Sequence, residues 1–598
     1  LNALLKSVNS QSVASITFKM VVLLTVIISF LPLLPGLVGL IFSAFGYIPA
    51  IDQYTFSFTG FNTLLAWPGL DQSIILTLFV SIASTLLSAV CCFAILQSCW
   101  HSRWWKKIET LLAPIMALPH VAFAVGFAFL FTPSGFIARI FGEQIHWQLI
   151  HDQYGLGLIV ALTLKEIPFL LFMSIPLLKQ LNINTTLITA QSLSYNNAQA
   201  WQKLILPQWL PKIRFSLFAV MAYSISVVDV ALIIGPTQPP TLAVLVWQWL
   251  NDADLATLPK ASAGALVLSL LCLFTLFSIR FAEWLITVKC KTWQSNGRYS
   301  LPIGGKSIII VTYLIALITL PILLIWSFAQ RWRFPDITPS RWSLRFWQQE
   351  WHYLLDIIAN SMIIALVSAT IALIFAIIVH EHSAKAETNK RRLKVPRLLI
   401  AIPMLAPQLS LLFGIQVATL YIANQYYYLW VIWAHIFFAF PYIFLALDGP
   451  WRSYDQRLDN VALSLGMSPF KTWWQIKRPL LLPAIWIAWA VGISVSLAQY
   501  LPTLMLGAGR ISTLTTEAVA LSSGQDRRIS AIYALLQSIT PFIFYIIAIL
   551  VSRKTGSLEQ QSAGSNHHTN TTNSAPNSSS TSTSTNSRVT TRNVSISK

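Results

Sequence analysis

The sequence predicts an all-α polytopic membrane protein with about 12 transmembrane helices in two tandem six-helix repeats. Of its 598 residues, 55% are hydrophobic and only 10% charged, and the mean hydropathy is +0.63. A soluble globule would need far more polar surface. Apolar runs of about 20 residues, the length that crosses a bilayer, recur along the chain. Residues 190–242 also match 462–514 at a constant offset without a gap, which marks an internal duplication.

In chain order the apolar runs place first-half helices near 20–45, 73–97, 111–132, 156–178, 214–235 and 261–288. Second-half helices fall near 307–329, 355–379, 398–421, 428–447, 481–505 and 529–551. The first run follows Lys6 and Lys19 and outlasts the core of a cleavable signal, so it reads as an uncleaved span. The organisation is then a segment 1–54 with the first helix, a membrane domain 55–288, a polar basic linker 289–306, a second membrane domain 307–552, and a tail 553–598. The tail is rich in Ser, Thr and Asn and has no apolar periodicity, so it is expected to be disordered. Ala117-Leu118-Pro119 and Ala401-Ile402-Pro403 each open the third span of their half, where a proline near a helix start is tolerated.

The net charge of +19 does not indicate nucleic acid, because Lys and Arg sit in short loops between apolar runs and not on one face. With cytosolic N- and C-termini, ~26 Lys and Arg lie near the inner side and ~9 near the outer. Two external loops dissent: one holds Arg331, Arg333, Arg341 and Arg345, the other Arg510, Arg527 and Arg528. The five cysteines show neither a disulfide framework nor zinc spacing.

The repeated stretch preserves residues with particular steric demands. Ala190 pairs with Ala462, Trp201 with Trp473, Pro207 with Pro479, Pro211 with Pro483 and Gly235 with Gly507. In the second copy, Asp459 to Gly466 reads as a short helix with a stop, Ser468 as an N-cap, Pro469 as a first helical residue, and 470–478 as a second helix ended by Pro479. Asn196 takes the cap position in the first copy.

On these residues both loops resemble the EAA loop of ABC importer permeases: Glu-Ala-Ala, three residues, Gly, nine residues, then Ile-x-Leu-Pro. The second copy gives Asn460-Val461-Ala462, Gly466 and Ile476-Lys477-Arg478-Pro479; the first gives Ile188-Thr189-Ala190, Ser194 and Leu204-Ile205-Leu206-Pro207. Neither copy has the Glu, and the first has Ser194 in place of Gly. The chain is similar to the fused two-copy, binding-protein-dependent inner membrane permeases of the ferric iron and thiamine type, including Ynj-type members.

That resemblance implies two coupling helices seated on two copies of an ABC ATPase subunit. Loop 1 would use Ala190, Ser194, Asn196, Trp201, Leu204 and Pro207; loop 2 would use Ala462, Gly466, Ser468, Trp473, Ile476 and Pro479. It further implies a bacterial inner membrane location, a periplasmic solute-binding protein as partner, and alternating access driven by ATP in the partner subunit.

No cofactor site is expected in the chain itself. The nearest approach to a phosphate loop, Ser300 to Ser307, lacks the first Gly, follows no predicted strand and runs into a span. No nucleophile elbow or His-Glu-x-x-His appears, the histidines are scattered, and no metal set is visible. The chain thus reads as a transport permease and not an enzyme.

Within the spans Lys165, Glu166 and Asp229 stand out; each costs about 2.5–3.5 kcal/mol at a helix centre and needs a partner or a cavity. Lys165 and Asp229 fall at similar depths, so the three residues are either candidates to line the translocation path or a buried pair that fixes packing. An ion-coupled secondary transporter of the major facilitator kind also has six plus six helices. Its Gly-x-x-x-Asp-Arg-x-Gly loop is absent after the second span, which reads Trp100-His101-Ser102-Arg103-Trp104-Trp105-Lys106-Lys107.

Overall fold

The computed structural model describes residues 20, 23, 25–27, 30–100, 102–142, 148–295, 299–301, 303–388, 397–419, 426–524 and 526–569. Among them the elements are helices, apart from a two-stranded antiparallel ribbon, Ala329–Arg331 with Arg341–Trp342, and one isolated bridge between Ile48 and Gln53. Among the described residues nine helices are long and apolar enough to cross a membrane, and the chain is an all-helical membrane protein. Leu70–Cys99, Leu156–Gln180 and Gly305–Phe328 are examples, and each coincides with an expected span.

Some of the expected spans are shorter or broken. The run at 20–45 contains a 12-residue helix, Leu33–Ala44. The run at 214–235 divides into Leu206–Ser226 and Asp229–Ile234, with Val227 extended at ψ 126° between them. The run at 398–421 divides into Arg397–Leu405 and Gln408–Thr419, and 111–132 into Trp105–Ala117 and His120–Phe131. Apolar length alone does not reveal such breaks. The breaks at Leu118-Pro119 and Ala406-Pro407 arise where a proline lacks an N–H and pushes its predecessor out of the helical region, whereas the break at Val227 holds no proline.

This corrects the pairing of Pro119 with Pro403. Pro119 is the N-cap of His120–Phe131, whereas Pro403 lies inside Arg397–Leu405 and the second-half break falls at Ala406-Pro407. Pro407 is therefore the structural counterpart of Pro119. The last helix, Arg527–Thr569, also continues into the segment expected to be disordered; residues 570–598 lie outside the described part.

The duplicated sequence produces duplicated contacts. After Gly235 and Gly507 the chain turns into short helices, Leu242–Leu250 and Leu514–Ser522. The amide of Leu242 donates to Thr77 Oγ1 at 2.8 Å, and that of Leu514 to Ser361 Oγ at 2.9 Å, so each reentrant helix is pinned to the long helix of its own half. The halves are also laced together. A Cβ on Gly126 would lie 2.1 Å from Thr319 of Gly305–Phe328, and one on Gly414 would lie 1.7 Å from the Gly36 carbonyl of Leu33–Ala44. Each half's broken third segment thus packs on the first helix of the other half, through close approaches that small residues permit.

Candidate functional site

The two repeated loops adopt the same local structure, and the reason is visible residue by residue. Helix Ile183–Ser192 ends with Ser194 at φ +63°, and Arg457–Ser464 ends with Gly466 at φ +83°. In the first loop Tyr195 N–H donates to the Ala190 carbonyl at 3.0 Å and Ser194 N–H to Gln191 at 2.9 Å. In the second, Met467 donates to Ala462 and Gly466 to Leu463, both at 3.1 Å. This is the Schellman stop, in which a left-handed residue satisfies the final carbonyls. Ser194 and Gly466 therefore do the same conformational task, although only one is glycine. Ala190 and Ala462, whose carbonyls close the stops, are buried.

A new helix then starts in each loop. Asn196 forms a capping box with Gln199, with both bonds at 2.8 Å, and Ser468 Oγ accepts from Lys471 N–H at 3.3 Å. The expectation that Pro479 ends this helix is wrong. Ala200–Ile205 and Trp473–Lys477 are π-helical turns, and Pro207 and Pro479 sit in the first turn of the long helices Leu206–Ser226 and Arg478–Leu497 that follow without interruption. The wider turn relieves the clash between the proline ring and the preceding carbonyls and leaves no partnerless donor, since proline has none. Each loop is therefore mechanically continuous with a membrane helix.

Trp201 is buried beneath the first loop against Phe93 and Trp100, whereas Trp473 is half-buried beside Trp474. Leu204 and Ile476 are half-buried. The outer faces stay apolar and open. Ile188 and Leu193 are exposed on the first loop, as are Val461, Leu465 and Phe470 on the second, where Leu465 is 78% exposed.

Each loop is held from behind by the end of a long helix, with different chemistry in the two halves. Gln97, at the end of Leu70–Cys99, accepts from Asn197 Nδ2 on its carbonyl at 3.0 Å and from Gln202 Nε2 on its side chain at 3.1 Å. Gln202 also binds both backbone groups of Leu301 in the linker. In the second half Glu381 pairs with Lys477 at 2.8 Å, both largely buried, and accepts from Trp451 Nε1 at 3.1 Å. Tyr454 donates to Asp459 at 2.6 Å; burial and that carboxylate hold its phenol well above the usual tyrosine range, so it remains a donor. None of Gln97, Gln202, Glu381 or Lys477 was singled out from the sequence, because their partners are far away in the chain.

The three intramembrane ionisable residues do not act as one group. Lys165 does not pair with Asp229: its Nζ donates to the carbonyls of Leu118 and Ile115 (3.3 Å to the latter), at the break before Pro119. It thus satisfies carbonyls that the broken helix releases. Glu166, adjacent in sequence but a helical step around, is 3.3 Å from His120 Nε2, and the His120 ring lies 4.7 Å from that of Tyr223. Asp229 opens the Asp229–Ile234 segment, half-buried, within electrostatic reach of His120, Tyr223 and second-half Tyr500. Glu166 likewise reaches Tyr442 of the second half. His120, Glu166 and Asp229 therefore gather where the two halves meet, with tyrosines from both. Among the described residues no cluster of His, Cys, Asp and Glu could hold a metal.

No protein-family model matches the sequence. Inner membrane ABC transporter permease protein YnjC of Escherichia coli (strain K12) is 31% identical over 539 residues, covering 90% of this chain and 96% of that protein. Thiamine transport system permease protein ThiP of Haemophilus influenzae is 25% identical over 439 residues, 69% of this chain and 75% of its own. Putrescine transport system permease protein PotI of Escherichia coli (strain K12) is 23% identical over 164 residues, 26% of this chain and 58% of its own. With a doubled helical architecture and a full-length relative of this kind, the chain belongs to the inner-membrane ABC transporter permeases, multi-pass and non-catalytic transport components.

Proposed function

We propose that the chain is the fused permease of a bacterial ABC importer, its two six-helix halves forming one translocation path for a small solute delivered by a periplasmic binding protein. Two copies of a separate ATPase subunit, which bind the ATP, engage the two loops on the cytosolic side, where both termini also lie. The observation that carries this reading is the twin loop: a Schellman stop, a capped restart and a π turn, presented twice with exposed apolar side chains and joined rigidly to a membrane helix. A merely connecting loop needs neither the exposed apolar face nor the rigid joint.

In this mechanism ATP-driven closure of the ATPases draws the loops together, and each continuous helix carries the motion inward. Glu166 and Asp229 line the path, while Lys165 is retired from it by its bonds to the Ile115 and Leu118 carbonyls. Two carboxylates facing tyrosines suit a cationic or neutral solute.

The test is purification of the tagged chain in mild detergent. Wild type should carry an ATPase subunit and hydrolyse ATP, and the double variant Leu193→Glu, Leu465→Glu should insert normally yet lose both. A variant that keeps its ATPase would reject the loops as coupling elements.

A further inference from the structure

Two of the arginines that break the inside-positive pattern, Arg527 and Arg528, meet Arg139 in the fold. The helix Gly305–Phe328 starts beside the first loop, with Gly305 against the Ala94 backbone and bonded to Ser98, and its 24 residues carry Phe328 about 36 Å away, to the opposite face. There a cavity of about 270 Å³ is lined by Ser134, Arg139, Trp326, Trp332, Phe334, Asp526, Arg527 and Arg528, three guanidinium groups to one carboxylate.

Arg139 is only 5% exposed. Its guanidinium lies 4.6 Å from the Trp332 ring centre and 5.9 Å from that of Trp326, and Nη1 donates to the carbonyls of Arg333 and Asp336 at 2.7 Å each. Its Nε has no hydrogen-bond partner among the described residues. Arg527 donates to Ser134 Oγ at 2.8 Å and to the Ser134 carbonyl at 3.5 Å; Arg528 donates to the Ala329 carbonyl at 3.0 Å and pairs with Asp526 at 3.5 Å. A buried guanidinium with an idle N–H, next to a second arginine held by one hydroxyl and a long carbonyl contact, is an arrangement that an oxyanion completes.

The neighbouring surface says which oxyanion. Phe328, two residues beyond Trp326, lines an open groove of about 320 Å³ with Leu344, Trp347, Gln348 and Trp351. This groove is mainly apolar, and Leu344 and Trp351 are exposed. Tryptophans at a span end mark the headgroup level of a bilayer. An apolar groove beside a cationic pocket at that level matches acyl chain and phosphate in turn.

We propose that this face binds an anionic phospholipid, its phosphate at Arg139, Arg527 and Arg528 and an acyl chain along Phe328, Leu344 and Trp351. The lipid would then bridge first-half Arg139 and second-half Arg527, coupling the two halves on the side away from the loops.

The experiment is native mass spectrometry of the full chain after delipidation, with added dioleoylphosphatidylglycerol, dioleoylphosphatidylcholine or inorganic phosphate. Wild type should retain phosphatidylglycerol over phosphatidylcholine, and Arg527→Gln should weaken that retention about fivefold, the effect of one interfacial charge. Trp347→Phe should weaken both lipids and leave the preference intact. Because Arg139→Gln risks misfolding, the more exposed Arg527 carries the decision. Equal retention of the two lipids, or an unchanged preference in Arg527→Gln, would overturn the proposal. So would full displacement of the lipid by phosphate, which would assign the pocket to a free anion. Absence of a lipid preference combined with lost uptake in Arg527→Gln would assign the arginines to an acidic partner protein instead.

Discussion

Replacing Gly466 with Ala probes the loop stop with little else disturbed. A Cβ at this position meets nothing within 4 Å among the described residues, so the change adds no clash and removes no contact. What remains is the penalty for an L-residue at φ +83°, about 1 kcal/mol. That shifts the local opening equilibrium about fivefold, because 1.4 kcal/mol is tenfold. The reciprocal change, Ser194→Gly, relieves the same penalty at φ +63° but frees the opened chain, leaving a net tightening of about 0.5 kcal/mol. Hydrogen exchange in nanodiscs reads both at the amides that close the stops, Met467 on Ala462 and Tyr195 on Ala190. Met467 should exchange about fivefold faster in Gly466→Ala, and Tyr195 about twofold slower in Ser194→Gly. If Met467 kept its protection, or if Ser194→Gly loosened Tyr195, the left-handed stop would not govern the loop and the argument from backbone conformation would fail.

The intramembrane residues should separate by role. Lys165→Met strands the Ile115 and Leu118 carbonyls, costing about 1–3 kcal/mol each, so the thermal midpoint should fall while uptake per folded molecule persists. Asp229→Asn should do the reverse, with thermal stability kept and uptake sharply reduced; unchanged uptake would remove Asp229 from the path. Gly414→Val would drive side-chain atoms into the Gly36 backbone, which cannot rotate aside, so the monodisperse yield on size exclusion should collapse. Gly449→Val, with nothing within 4 Å of its Cβ among the described residues, is the control and should leave the yield intact.

The legible part of the molecule was the part written in neighbouring residues. The stop at Gly466 and the caps at Asn196 and Ser468 depend on local backbone chemistry, so spacing reveals them, whereas the matching left-handed stop at Ser194 carries no glycine to signal it. The π turns were not visible, because they are a response to Pro207 and Pro479 that a straight helix-ending rule misreads. Pro403 and Pro407 lie four residues apart, and matching the Ala-x-Pro pattern pairs Pro119 with Pro403 although the break falls at Pro407. Similar depth leaves pairing of Lys165 with Asp229 open because depth is one-dimensional; its actual partners, the Ile115 and Leu118 carbonyls, appear only once the helix is broken. The Gln97 and Glu381 supports behind the loops depend on long-range packing and left no local signal. The external arginines were seen as an anomaly of orientation, and only the fold brought Arg139 to Arg527.

The central claim is that both loops seat the same kind of ATPase subunit. Its most direct test places a photo-crosslinking amino acid at Leu193 in one strain and at Leu465 in another, the counterpart exposed positions of the two loops, and identifies the trapped protein by mass spectrometry. The account predicts that one ATPase with a Walker-type phosphate loop is captured at both positions. Capture of no ATPase at either position, or of unrelated proteins at the two, would contradict it.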